Sequence, residues 1–170
     1  MLQLSHIDKT HLEAAQGWFE LGDPVEAFEE LEKITYAMRV HPLVLRLCWE
    51  IYTAAKQWDF ALHLAKALIR LDPDNPHGWI HRSYTLHELN RTAEAFDQLL
   101  PLVDRFPKVW TIPYNLACYC AQLDRLEECK TWFTKAMTIN EHAVKRVAID
   151  DPDLTPLWDS MSGTLWKRSD

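Results

Sequence analysis

Apolar residues recur along this chain at helical spacing, in paired stretches divided by short polar or proline-bearing breaks. Leu12, Ala15, Trp18 and Phe19 fall on one side of a helix predicted over His11 to Leu21. Thr10 and Glu13 offer a capping box at its start. Gly22-Asp23-Pro24 then supplies a glycine past a helix end and a proline that can open the next helix. The partner helix, Val25 to about Arg39, presents Ala27, Phe28, Leu31, Ile34 and Met38, with Glu26, Glu29, Glu30 and Glu32 on a solvated side. The alternation continues with Leu45, Cys48, Trp49 and Tyr52, then Ala61, Leu64, Ala65, Leu68 and Ile69. A third pair carries Leu86 and Leu89, then Ala95, Phe96, Leu99, Leu102 and Val103, and Pro101 should kink its second helix. A fourth carries Leu116, Ala117 and Leu123, then Leu126, Cys129, Phe133 and Ala136.

The punctuation is periodic. Ala27, Ala61, Ala95 and Cys129 are spaced by 34 residues, as are Pro73 and Pro107. A small residue allows two antiparallel helices to cross closely, and each helix pair leaves a face that the next pair covers. This interval and these residues (Trp79, Leu116, Tyr52, Gly22, Ala27, Ala61, Ala95, Phe133, Ala136, Pro73 and Pro107) resemble the tetratricopeptide repeat, or TPR, family. Ala15, Trp49 and Ser83 stand where that family has glycine, and Cys129 replaces alanine.

The expected fold is therefore all-α, a right-handed superhelix of antiparallel helix pairs forming a single TPR-like domain over residues 1–170. Its repeats fall at about 8–41, 42–75, 76–109 and 110–143, with a C-terminal cap over 144–170. Pro42 comes three places later than the period predicts, so the first repeat should end irregularly. Glu141 to Ile149 reads as a short helix. Asp153 is a candidate N-cap for a final helix carrying Leu154, Leu157, Trp158 and Met161, with Leu165 and Trp166 beyond.

Composition narrows the function classes. The formal net charge of −7 argues against binding to a nucleic-acid backbone, which needs a clustered basic surface. No stretch reaches the roughly 18 apolar residues of a membrane span, and the N-terminus lacks the pattern of a secretory signal. Cys48, Cys118, Cys120 and Cys129 read as reduced, buried thiols of a cytoplasmic protein. Glycine-rich phosphate loops, nucleophile elbows and alternating calcium ligands are missing. No catalytic residue, metal or cofactor is expected, and the chain reads as a non-enzymatic adaptor, scaffold or chaperone-like module.

The resemblance implies a concave groove lined by the first helix of each pair, suited to a peptide or partner helix. Its candidate residues are Leu12, Gln16 and Phe19 from the first repeat, Arg46 and Glu50 from the second, His77, His81, Tyr84 and Glu88 from the third, and Tyr114 and Asn115 from the fourth. The family's carboxylate clamp would need basic and amide groups where Leu12, Gln16, Leu47, His77 and His81 stand, so that variant is not expected. His77 and His81 at i and i+4 have the spacing of a metal-sharing pair, but a polar groove wall accounts for them. A self-associating homodimer, as in secretion chaperones of this repeat class, is the alternative to groove binding. A His-based metal-binding or catalytic role ranks third.

Overall fold

The computed structural model describes residues 3–161, and among them no strand occurs. The chain divides into two compact units, Met1–Arg82 and Ser83–Asp170. Leu165 and Trp166 lie outside the described residues.

The N-terminal unit contains α1 (His6–Glu20), α2 (Pro24–Lys33), α3 (Pro42–Ala54), α4 (Trp58–Leu71) and the first part of α5 (Pro76–Glu88). Helix α1 begins one turn earlier than Thr10 predicts. Ser5 Oγ accepts the Asp8 amide while the Asp8 carboxylate accepts the Ser5 amide, a complete capping box. Thr10 is interior, its hydroxyl donating to the His6 carbonyl. Asp8 also reaches across to accept the Thr35 amide at 2.8 Å, which ties the start of α1 to the loop after α2. These donors hold the Asp8 carboxyl at a pKa of about 2, below its ordinary 3.8, with the Ser5 hydroxyl as the largest cause.

Helix α2 stops at Lys33, and the chain continues through an extended Ile34 into a 3-10 turn, Tyr36–Met38. Arg39 closes this irregular passage by donating to the carbonyls of Ile34 and Glu32. The side of α2 expected to be solvated is partly engaged, because Glu30 accepts from Lys33 and pairs with His11 across the helix crossing. Ala15, Ala27, Leu31, Val44, Leu47 and Ile51 form the core, with Leu12, Phe19 and Phe28 packed against it. Gly78 sits where α5 meets α4. An added Cβ there would come within 3.0 Å of the Ile69 backbone nitrogen, so only glycine permits this approach.

The C-terminal unit holds the rest of α5, then α6 (Thr92–Leu99), α7 (Leu102–Arg105), α8 (Thr111–Gln122), α9 (Leu126–Ala148) and α10 (Thr155–Ser160). Pro101 separates α6 from α7, since it has no amide to continue the ladder. Helix α9 is interrupted at Asn140, whose backbone is non-helical and whose side chain accepts the Ala143 amide to start the following turn. A 3-10 turn, Pro152–Leu154, leads into α10. Asp151 caps this turn in place of Asp153, because the Asp153 carboxylate is directed to His87.

One turn geometry recurs along both units. Gly22, Lys56, Asn90 and Asp124, each 34 residues from the next, have φ of 84°, 55°, 59° and 57°. The residue after each donates its amide back to the helix before: Asp23 to Trp18, Gln57 to Tyr52, Arg91 to Leu86 and Arg125 to Cys120. This left-handed residue with a long return bond is the Schellman ending of a helix. The next helix then starts at once, with the amides of Ala27, Ala61, Ala95 and Cys129 donating to the carbonyls of the same four residues, Asp23, Gln57, Arg91 and Arg125. All four small residues are fully buried. The sequence interval is thus a repeated backbone event, and the alanine follows the turn by a fixed number of bonds.

Candidate functional site

In the N-terminal unit, α1 and α3 leave a groove between them with a cavity of about 310 Å³. Its lining is Leu4, Leu12, Leu43 and Leu47 with Lys9, Glu13, Gln16 and Arg46. Leu4 is brought there by the residues before α1 and has no counterpart in the repeat pattern, which explains why sequence reasoning passed over it. Of the candidate residues in this unit, Leu12, Gln16 and Arg46 are gathered at the groove. Phe19 packs against the core, and Glu50 accepts from Arg46 at 3.0 Å, a turn further along α3. Gln16 donates to Glu20, one turn along α1. The result is an apolar floor with one lysine, one arginine, one carboxylate and one amide at the rim. Such a surface can hold an extended or helical peptide by apolar contact and orient it by hydrogen bonds.

His81 has a different setting from a groove wall. Its ring stacks on Trp49, centroids 3.7 Å apart and planes 21° from parallel. Burial is the main cause that pushes its pKa down to about 3, helped by His77 and Arg46. The ring therefore stays neutral at pH 7 and behaves as an aromatic packing group. It cannot supply the positive charge that a carboxylate clamp requires. His77 remains exposed, its ring centroid 6.2 Å from that of His81.

In the C-terminal unit the comparable helix face is filled by the chain itself. The segment Asp151–Leu154 lies on α8, with Leu154 and Leu157 fully buried. Tyr114 Oη donates to Asp151 Oδ2, and the Cys118 thiol approaches the same oxygen at 3.7 Å. Gln122 donates to the Asp153 carbonyl at 2.9 Å, and His87 Nε2 lies 3.1 Å from Asp153 Oδ2. His87 Nδ1 is 3.0 Å from the Thr92 hydroxyl, so both ring nitrogens are engaged. Tyr119 donates to Ser83 at 3.2 Å and also bonds Asn115. Tyr84 hydrogen-bonds Glu88, and its pKa is raised to about 12, by burial first and then by that carboxylate.

Among the described residues, Cys118 Sγ and carboxylate oxygens of Asp151 and Asp153 lie within 4.8 Å of one another, the separation of metal ligands. Each group already has an internal use. Burial and the two aspartates hold the Cys118 thiol well above its usual pKa, protonated and donating. The arrangement serves to dock the segment. The other thiols are also raised, Cys48 and Cys129 to about 11 and Cys120 to about 12, chiefly by burial, and all four cysteines are free. No helix among the described residues is long and apolar enough to cross a membrane.

No protein-family model matches the sequence, and no curated protein matches it. Solved structures do match the fold. A structure of MamA protein superposes with a TM-score of 0.69 at 12% identity, over 92% of this chain and 82% of that chain. MamA AMB-1 gives 0.61 at 21% identity, over 85% of this chain and 79% of that chain. A thermophilic TPR protein of Thermus thermophilus gives 0.68 at 14% identity, over 92% of this chain and 89% of that chain. The chain is TPR-like, with the all-α fold of helix pairs that these proteins share.

Proposed function

We propose that this protein is a non-enzymatic interaction module whose α1–α3 groove holds a peptide or helical segment of a protein partner. The observation that supports the reading is the groove itself: four leucines form its floor, and Lys9, Glu13, Gln16 and Arg46 stand around it. Apolar residues of the partner would sit against Leu12 and Leu43. Arg46 and Gln16 would take its carbonyl or carboxylate groups. A soluble, adaptor-type protein acting in the cytoplasm fits the reduced thiols and the acidic charge.

The test begins with peptides selected from a random display library against the full chain. Binding of the selected peptides is then measured by calorimetry to wild type, Leu12→Asp and Arg46→Ala. Arg46 is exposed, so its replacement should leave stability within about 0.5 kcal/mol. At least a ten-fold loss of affinity in both folded variants is expected, and unchanged affinity would remove the groove from consideration. A second reading, self-association, is favoured by apolar side chains left exposed around the α1–α2 turn, Leu21 at 79% and Val25 at 66%. Light scattering across a concentration series distinguishes it.

A further inference from the structure

The segment Asp151–Leu154 has two separable sets of bonds, and the division is that of a ligand and its receptor. One set is internal: Asp151 Oδ1 accepts the Asp153 amide at 3.0 Å, and the Leu154 amide donates to the Asp151 carbonyl at 3.2 Å. With proline fixing φ at the second place, these bonds close a turn within the four residues. The other set uses different atoms and points outward. Asp151 Oδ2 receives the Tyr114 hydroxyl and Cys118 thiol, Asp153 Oδ2 meets His87, the Asp153 carbonyl receives Gln122, and Leu154 is fully buried. The receiving residues come from α5 and α8, two first helices of the repeat pattern. Tyr114, Cys118 and Gln122 recur at i, i+4 and i+8, so they form one stripe of α8.

We propose that the α5–α8 face of the C-terminal unit is a peptide-binding face held by a tethered occupant, and that it accepts in its place an acidic peptide of Asp-Pro-Asp-Leu type from a partner protein. The occupant defines the chemistry: a carboxylate for the tyrosine and thiol, a second carboxylate for the histidine, and a leucine for the buried pocket. Tethering gives the chain's own segment a high effective concentration. A partner peptide therefore gains the face only when it is present in excess or when the tether is loosened. This face is separate from the α1–α3 groove, and the proposal does not depend on the role given to that groove.

The experiment uses the full chain and a fluorescent peptide with the sequence of residues 150–161, read by anisotropy. Wild type and the full-chain variants Leu154→Ala and Asp153→Asn are compared, with folding checked by circular dichroism. The peptide is expected to bind both variants at least ten-fold more tightly than wild type, and a peptide lacking the leucine is expected not to bind. Folded variants that bind the peptide no better than wild type would overturn the proposal. So would loss of folding in both variants, because the segment would then be an indispensable part of the core. Equal binding of the leucine-free peptide would overturn the assigned chemistry.

Discussion

The same kind of helix face has opposite fates in the two units. Between α1 and α3 it stays open, with a cavity of about 310 Å³ and four leucines at its floor. On α8 it is covered by the chain's own Asp151–Leu154 turn, and Leu154 and Leu157 are lost from solvent. The repeat pattern treats the two faces alike, since Arg46 and Tyr114 hold corresponding places two intervals apart. What separates them is sequence that follows the repeats. A repeat array leaves its last face bare, and the residues after it cover that face. Here they do so with a turn that lies on α8 and with α10, which packs against both α8 and α9.

The comparison breaks first at Leu154. Its replacement by alanine removes a fully buried side chain, with a loss of about 2–5 kcal/mol expected for a large-to-small change in a core. Hydrogen exchange should show that loss in α8 while α1–α3 keep their protection. Equal loss in all helices would mean that the two units do not respond separately. A smaller effect is expected at Asp8, which ties the N-terminal unit together in the way that Asp151 ties the C-terminal one. Its pKa of about 2 lies below the ordinary 3.8, so its stabilisation is fully present above about pH 4 and is lost as pH falls through 2. Acid titration of wild type followed by circular dichroism should show this decline. Asp8→Asn should be less stable at neutral pH and lack that part of the slope. The smallest effect concerns Lys56, a left-handed residue at the place of Gly22. Lys56→Gly removes the Cβ penalty but adds freedom to the unfolded chain, for a net gain of about 1 kcal/mol or less. Urea denaturation would read it, and a loss of stability would show that the lysine side chain holds the turn by other means.

Much of the frame was legible in the residues. Gly22, Asn90 and Asp124 are types that tolerate a left-handed backbone, and the buried small residue follows each by a fixed offset. At Lys56-Gln57-Trp58-Asp59 the interval marks a turn without glycine, and the residue types give no hint that Lys56 has a positive φ. Thr10 and Glu13 matched a capping box as well as Ser5 and Asp8 do. The latter pair is used because Asp8 gains a further bond to the Thr35 amide, from a loop remote in sequence. The candidate site was less legible. Leu12, Gln16 and Arg46 meet at one groove, whereas Phe19 turns to the core and His81 to Trp49. A helical stripe fixes direction only to within a residue's width, and a side chain at its edge goes wherever neighbouring helices leave room.

The sequence by itself determined the helix pairs, their interval and the turn that joins them, because these depend on side-chain size and backbone freedom at fixed places along the chain. Tertiary structure alone decided which first-helix face stays open and which is filled. That outcome rests on contacts between residues 30 or more apart, Tyr114 with Asp151 and His87 with Asp153. No local pattern encodes such a meeting. It follows from where the folded chain brings its last turn, and from the gain in burying Leu154 there.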